Sequence, residues 1–195
     1  MGKDDERQLI DRSQRGELRA FNELVERYQT QAYHLALRML GDEALAADAA
    51  QECFISAYQA IRGFRGGSFR SWILRIAANS TRDLLRAAKS RRALSLEALE
   101  SDSGSLPHSS EESPEEQTLR SEFGSEIQRG LESLHHDQRL ALVLIDIHGF
   151  GYEEAARITG ASLGTVKSRL NRARHQMRDR LRAVPELLPD KFRLE

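Results

Sequence analysis

Residues 94–118 read LSLEALESDSGSLPHSSEESPEEQT: seven serines, seven acids, two prolines and no Lys or Arg. Such a stretch holds too little apolar surface to offset the entropy of ordering it. The stretch is therefore expected to be a mobile linker, and the chain is read as two lobes joined by a strap. The boundaries that follow are 1–92, a linker at 93–118, a second lobe at 119–183 and a tail at 184–195.

Both lobes read as helical. All four prolines, Pro107, Pro114, Pro185 and Pro189, fall in the strap or the tail, so the first 106 residues can form uninterrupted helices. Phe21, Leu24, Val25, Tyr28, Ala32, Leu35, Ala36 and Met39 repeat at three-and-four spacing, one face of a helix that Gly41 ends. Asp42 suits the cap of a second helix, with Ala46, Ala49, Ala50, Cys53, Phe54, Ala57, Tyr58 and Ile61 on its apolar side. After the turn RGGS, Ser68 opens a third, with Phe69, Trp72, Ile73, Ile76, Ala77 and Leu84 facing inward. In the second lobe the pattern is Leu119, Phe123, Ile127, Leu131, then Leu140, Val143, Leu144, Ile147, stopped by Gly149. No segment shows strand alternation, so the fold class is all-α: two small helical domains.

Charge is uneven. Residues 62–92 hold nine Lys/Arg against one acid, and 161–182 hold seven against one, in a chain whose net charge is only -1. Two such islands point to phosphate. The second follows YEEAARITGAS. Tyr152 to Thr159 reads as a short helix, Gly160 and Ala161 as a tight turn, and Ser162 as a cap reaching the N–H of Thr165. Val166, Leu170, Ala173 and Met177 then face inward, leaving Thr165, Lys167, Ser168, Asn171, Arg172 and His175 outward and Arg169 and Arg174 on the flanks. A short helix, a glycine turn and a capped basic helix make a helix-turn-helix, whose second helix enters the major groove. An amphipathic basic helix on a partner or a membrane surface is the bland alternative. The first island interleaves cations with Phe64, Phe69 and Trp72, a mixture suited to single-stranded DNA. For Trp72, ordinary core is the heavier reading.

Enzymatic signatures are missing: no Walker loop, no H-E-x-x-H and no G-x-S-x-G occur, so no catalytic residue is nominated. Cys53, the single cysteine, allows neither an intramolecular disulfide nor a cysteine-based zinc site, and its apolar surroundings make it buried and inert. No metal or other cofactor is expected. No apolar run approaches the ~20 residues of a membrane span, and MGKDDERQLI lacks a signal-peptide core, so the expected compartment is the cytoplasm.

The stretch LIDIHGFGYEEAARITGASLGTVKSRLNRAR resembles region 4.2 of bacterial sigma factors of the extracytoplasmic-function group. DAAQECF (48–54) resembles the core-binding motif of sigma region 2.2, and FRSWILRIAANSTRDLLR (69–86) resembles regions 2.3 and 2.4. The similarity covers residues 5–90 and 119–182. Gly151 departs from it, standing where the family often has Ser or Thr, which weakens the cap of the following helix. The resemblance implies a non-catalytic alternative sigma factor that binds core RNA polymerase, through the β′ coiled coil and the β flap, and promoter DNA. An anti-sigma factor is an implied partner, and membrane insertion is not. By resemblance, core polymerase meets Asp48, Gln51, Glu52 and Phe54. The −10 element meets Arg65, Phe69, Arg70, Trp72, Arg75, Asn79 and Arg82, with Asn79 helping to form the pocket for an extruded base. The −35 element meets Thr165, Lys167, Ser168, Arg169, Asn171, Arg172, Arg174 and His175. The rival from another class is a stand-alone helix-turn-helix regulator, and an RNA-binding adaptor is a weaker third.

Overall fold

The structure, a computed structural model, describes the backbone of residues 3–94 and 114–184, with side chains for 5–87 and 122–184. The described residues are helical, with no strand among them. The expected mobility of the strap falls in large part on residues 95–113, which lie outside the described residues, as do residues 185–195 of the tail.

In the first lobe, α1 (Lys3–Gln14) and α2 (Leu18–Leu40) lead to α3 (Glu43–Ala60), a 3-10 turn at Ile61–Gly63 and α4 (Phe69–Leu94). Helix α2 stops where Gly41 takes φ 76, a conformation that costs a side chain about 1–2 kcal/mol, and its N–H returns to the Leu37 carbonyl. The next residue, Asp42, starts α3 by accepting from the N–H of Leu45 at 2.8 Å. Ser68 opens α4 in the same way, accepting from the N–H of Ser71 at 3.1 Å. The buried face of α3 is made of small groups, Ala46, Ala49, Cys53 and Ala57, so α2 and α4 can approach it closely. Leu24, Leu35, Met39, Ile73 and Leu74 fill the space between, each worth about 1.5–3 kcal/mol of burial.

The second lobe comprises α5 (Pro114–Ser133), α6 (His136–Leu142), a π-helical turn at Val143–Ile147, α7 (Tyr152–Thr159) and α8 (Leu163–Arg182). Two sequence expectations change here. Helix α5 begins inside the expected linker, with Pro114 at its first position, where a missing N–H costs nothing. Ile147 was expected on the apolar face, yet it is 45% exposed, because the i→i+5 spacing of the π turn rotates it out of the repeat.

The lobes also touch, which the sequence pattern did not anticipate. Arg139, buried on α6, donates to the Met39 carbonyl at the end of α2 and to the Glu132 carbonyl at 2.6 Å. Arg70 on α4 donates to the His148 carbonyl at 2.7 Å and lies 4.1 Å from the Phe150 ring centre. Ser71 bonds Glu154 of α7, and one cluster of buried apolar side chains runs through both lobes.

Candidate nucleic-acid interface

Helix α8 is held by its inner stripe. Val166, Leu170, Ala173 and Met177 are buried, as the spacing predicts, and Ser162 accepts from the N–H of Thr165 at 3.1 Å. The preceding turn closes because Gly160 takes φ 66, letting the N–H of Ala161 return to the Ala156 carbonyl. Helix α7 has no side-chain cap at Gly151, in line with the weak cap read there. With these anchors in place, Thr165, Ser168, Asn171, Arg172 and His175 stand exposed on the outer face.

Four other cations of α8 have partners among the described residues. Lys167 lies over the Tyr152 ring, 5.8 Å from its centre. Arg174 meets Asp146 through two bonds, Nε–H at 2.9 Å and Nη2–H at 2.6 Å. That pairing raises the guanidinium pKa, chiefly through the hydrogen bond to Asp146. Arg169 donates to Asp137, at the first turn of α6, and Arg180 to Glu126 of α5 at 2.6 Å. Burial alone would raise the Asp137 carboxyl. The bond from His136 and the charges of Arg169 and Arg82 outweigh it and hold the group below its ordinary value. None of these acids was nominated from sequence. They lie at least 28 residues before the arginine they bind, outside any local motif.

On α4, Arg75, Asn79 and Arg82 follow one another along one face, Arg75 and Asn79 exposed and Arg82 partly covered. Arg65 is exposed in the loop before the helix. Three side chains assigned to the same interface are placed differently. Phe69 is a correction: it is fully buried against Tyr28, Phe64 and Trp72, so it has no surface to offer a base. As the first residue of α4 it faces the core, because the helix phase fixed by Ile73 and Leu74 turns it inward. Trp72 is half-buried in that aromatic cluster, 5.2 Å from Phe64, with part of its ring outside. Arg70 is spent on Gln31, at 2.6 Å, and on the second lobe.

The third surface is a groove of about 780 Å³ between α2 and α3. Gln51 and Phe54 line it, beside Val25, Tyr33, Ile55 and Tyr58. Asp48 and Glu52 are exposed on the rim side of α3. Nearby Cys53 is fully buried, burial pushes its thiol up to about 12, and its Sγ lies 3.5 Å from the Ile73 carbonyl. A thiol so held is a packing group. Among the described residues no three His, Cys, Asp or Glu side chains gather as a metal site, and no helix is long and apolar enough to cross a membrane.

Two lobes of this build, one presenting a cationic helix beside an aromatic cluster and the other a helix-turn-helix, match known families in that order. The Sigma-70 region 2 family matches residues 24–91, and the Sigma-70, region 4 family matches residues 125–177. The chain belongs to the sigma-70 family, among the extracytoplasmic-function sigma factors of RNA polymerase. It is 39% identical over 174 residues to the RNA polymerase sigma-H factor of Pseudomonas aeruginosa, covering 87% of this chain and 90% of that protein. It is 38% identical over 185 residues to the sigma-E factor of Escherichia coli, covering 90% of this chain and 94% of that one. The match to SigE of Mycolicibacterium smegmatis, 36% over 162 residues, covers 83% of this chain but 62% of that longer protein. Among solved structures, CnrH in complex with the cytosolic domain of CnrY superposes with TM-score 0.65 at 28% identity, over 92% of this chain and 99% of that one. RpoE in complex with the anti-sigma factor NepR, from Bartonella quintana, gives 0.67 at 25%, over 84% and 98%. The function is that of the family: promoter-specific initiation of transcription with core RNA polymerase.

Proposed function

We propose that the chain is a cytoplasmic, non-catalytic specificity subunit whose lobes divide the promoter between them. Residues 1–92 dock on core polymerase and recognise and melt the −10 element, residues 93–118 link the lobes, and residues 119–183 read the −35 element. The observation that supports it most directly is the outer face of α8, where Ser168, Asn171, Arg172 and His175 stand exposed on a helix locked from within. Asn and Arg pair bidentately with adenine and guanine edges in the major groove, which suits Asn171 and Arg172 to base reading. Lys167, reaching past the Tyr152 ring, stands beside them, and Thr165 sits at the helix start. Arg169 and Arg174 flank this face, each bound to a carboxylate of its own lobe.

On the first lobe, Arg65, Arg75, Asn79 and Arg82 are the −10 contacts, with the outer part of Trp72 as a stacking surface and Asn79 at the base pocket. Asp48, Gln51, Glu52 and Phe54 meet the β′ coiled coil at the mouth of the α2–α3 groove, and the second lobe meets the β flap. An anti-sigma factor is the further partner, as CnrH and RpoE are held by CnrY and NepR.

The test is transcription by the reconstituted holoenzyme from randomised −35 elements. Arg172→Ala should relax the preference at one position, a change of about 1–3 kcal/mol. A stand-alone regulator would instead bind its duplex site tightly without polymerase, and that result would replace this reading.

A further inference from the structure

Seven cations lie on α8, and three are already matched by carboxylates from other elements of the same lobe: Arg169 by Asp137, Arg174 by Asp146 and Arg180 by Glu126. The acids come from α6, the π turn and α5, so they meet the helix beside its buried stripe and leave its outer face clear. Arg172, on that outer face, has no carboxylate within ion-pair distance among the described residues. The Arg174–Asp146 pair is the most complete of the three. Two parallel bonds satisfy both carboxylate oxygens, the fork geometry in which arginine binds carboxylate best.

We propose that Asp146 silences Arg174 toward DNA: it is a positioning residue that pins the flank of α8 and removes one cation from those the −35 element meets. The proposal rests on the reading of α8 as the −35 reader. A cation adds to duplex affinity by displacing the counterions that phosphate condenses, and each such contact steepens log K against log salt by about 0.9. A guanidinium already paired with a bidentate carboxylate brings no net charge, so a phosphate that reaches its remaining N–H groups meets the carboxylate's charge as well and releases fewer counterions. Sequence would count Arg174 as a phosphate contact. The pair takes it off that count. Affinity for duplex of any sequence is thereby held down, while base reading by the outer face is left untouched.

Asp146 is the place to test this, because Asp137 also faces Arg82 and sits in the first turn of α6, so its loss would disturb lobe packing and helix start together. Holoenzyme carrying the full chain is titrated onto a −35 duplex and a scrambled duplex across a salt series. Asp146→Asn should steepen the slope by about 0.9 on both duplexes, an extra loss of about 3.5-fold between 50 and 200 mM salt, with the preferred sequence retained. Asp146→Ser, which cannot imitate the amide geometry, should steepen it equally. Arg174→Gln alone should leave the slope where it is, and in the Asp146→Asn background it should return the slope to the wild-type value. A shallower slope from Arg174→Gln alone, or no change from either Asp146 variant, overturns the proposal. If Arg172→Ala leaves the −35 preference unchanged, the reading of α8 falls, and this inference falls with it.

Discussion

Lowering pH should loosen the second lobe through His148. Its Nε2 is buried with no hydrogen-bond partner, and its ring stands near Arg70 and His34. Burial first, then the charges of Arg70 and His34, push its pKa down to about 4 from an ordinary 6.5. The unfolded chain then binds the proton more readily than the folded one, so stability is fully present above about pH 6.5 and drains away as pH falls toward about 4. At about pH 5 those two values correspond to about 2 kcal/mol. The ring is only half-buried, and solvent screening brings the expected loss to about 1 kcal/mol. His136 on α6 is also depressed, mainly by burial, so the wild-type curve alone would mix two residues. The measurement is urea unfolding at about pH 7.5 and pH 5 for the wild type and His148→Gln, the difference between the two proteins isolating His148. A variant that loses as much stability as the wild type on acidification would refute the assignment.

Removing the α8 cap by Ser162→Ala should cost about 1 kcal/mol in the same unfolding assay, since Ser162 satisfies the N–H of Thr165. Reversing Asp48 and Glu52 to Lys should weaken competition for core polymerase while helix content stays constant by circular dichroism, both side chains being exposed. Asn79→Ala should slow open-complex formation on duplex promoters more than it weakens binding to a pre-melted template, and equal losses on both would point to folding. Gly41→Ala should destabilise the first lobe by about 1–2 kcal/mol, because φ 76 has to be held by a residue with a Cβ.

What the sequence made legible was local. The Asp42 and Ser162 caps, the stop at Gly41 and the inward stripe of α8 are each written within four residues of where they act. What it concealed depends on partners far along the chain. The carbonyl that holds Arg139 belongs to a residue 100 positions upstream, and an acceptor carbonyl looks the same at every position. Phe69 was given two places, inward by its spacing and at the −10 element by resemblance, and its helical phase decides for the core. The acid partners of Arg169 and Arg174 escaped for the same reason as Met39: distance in sequence, not weakness of the bond.

Asp137 receives Arg169 from one reading helix while Arg82 of the other stands 3.9 Å from its second oxygen. The promoter elements proposed above for those helices are roughly 25 base pairs apart, about 85 Å along the duplex. A single carboxylate cannot serve as the meeting point of two hands that must also span that distance. In the arrangement described, the chain grips one element at most, and straddling both requires the lobes to part. Parting frees Arg82 while Arg169 keeps Asp137 inside the second lobe, so separation hands the proposed −10 helix a cation that the closed arrangement withholds.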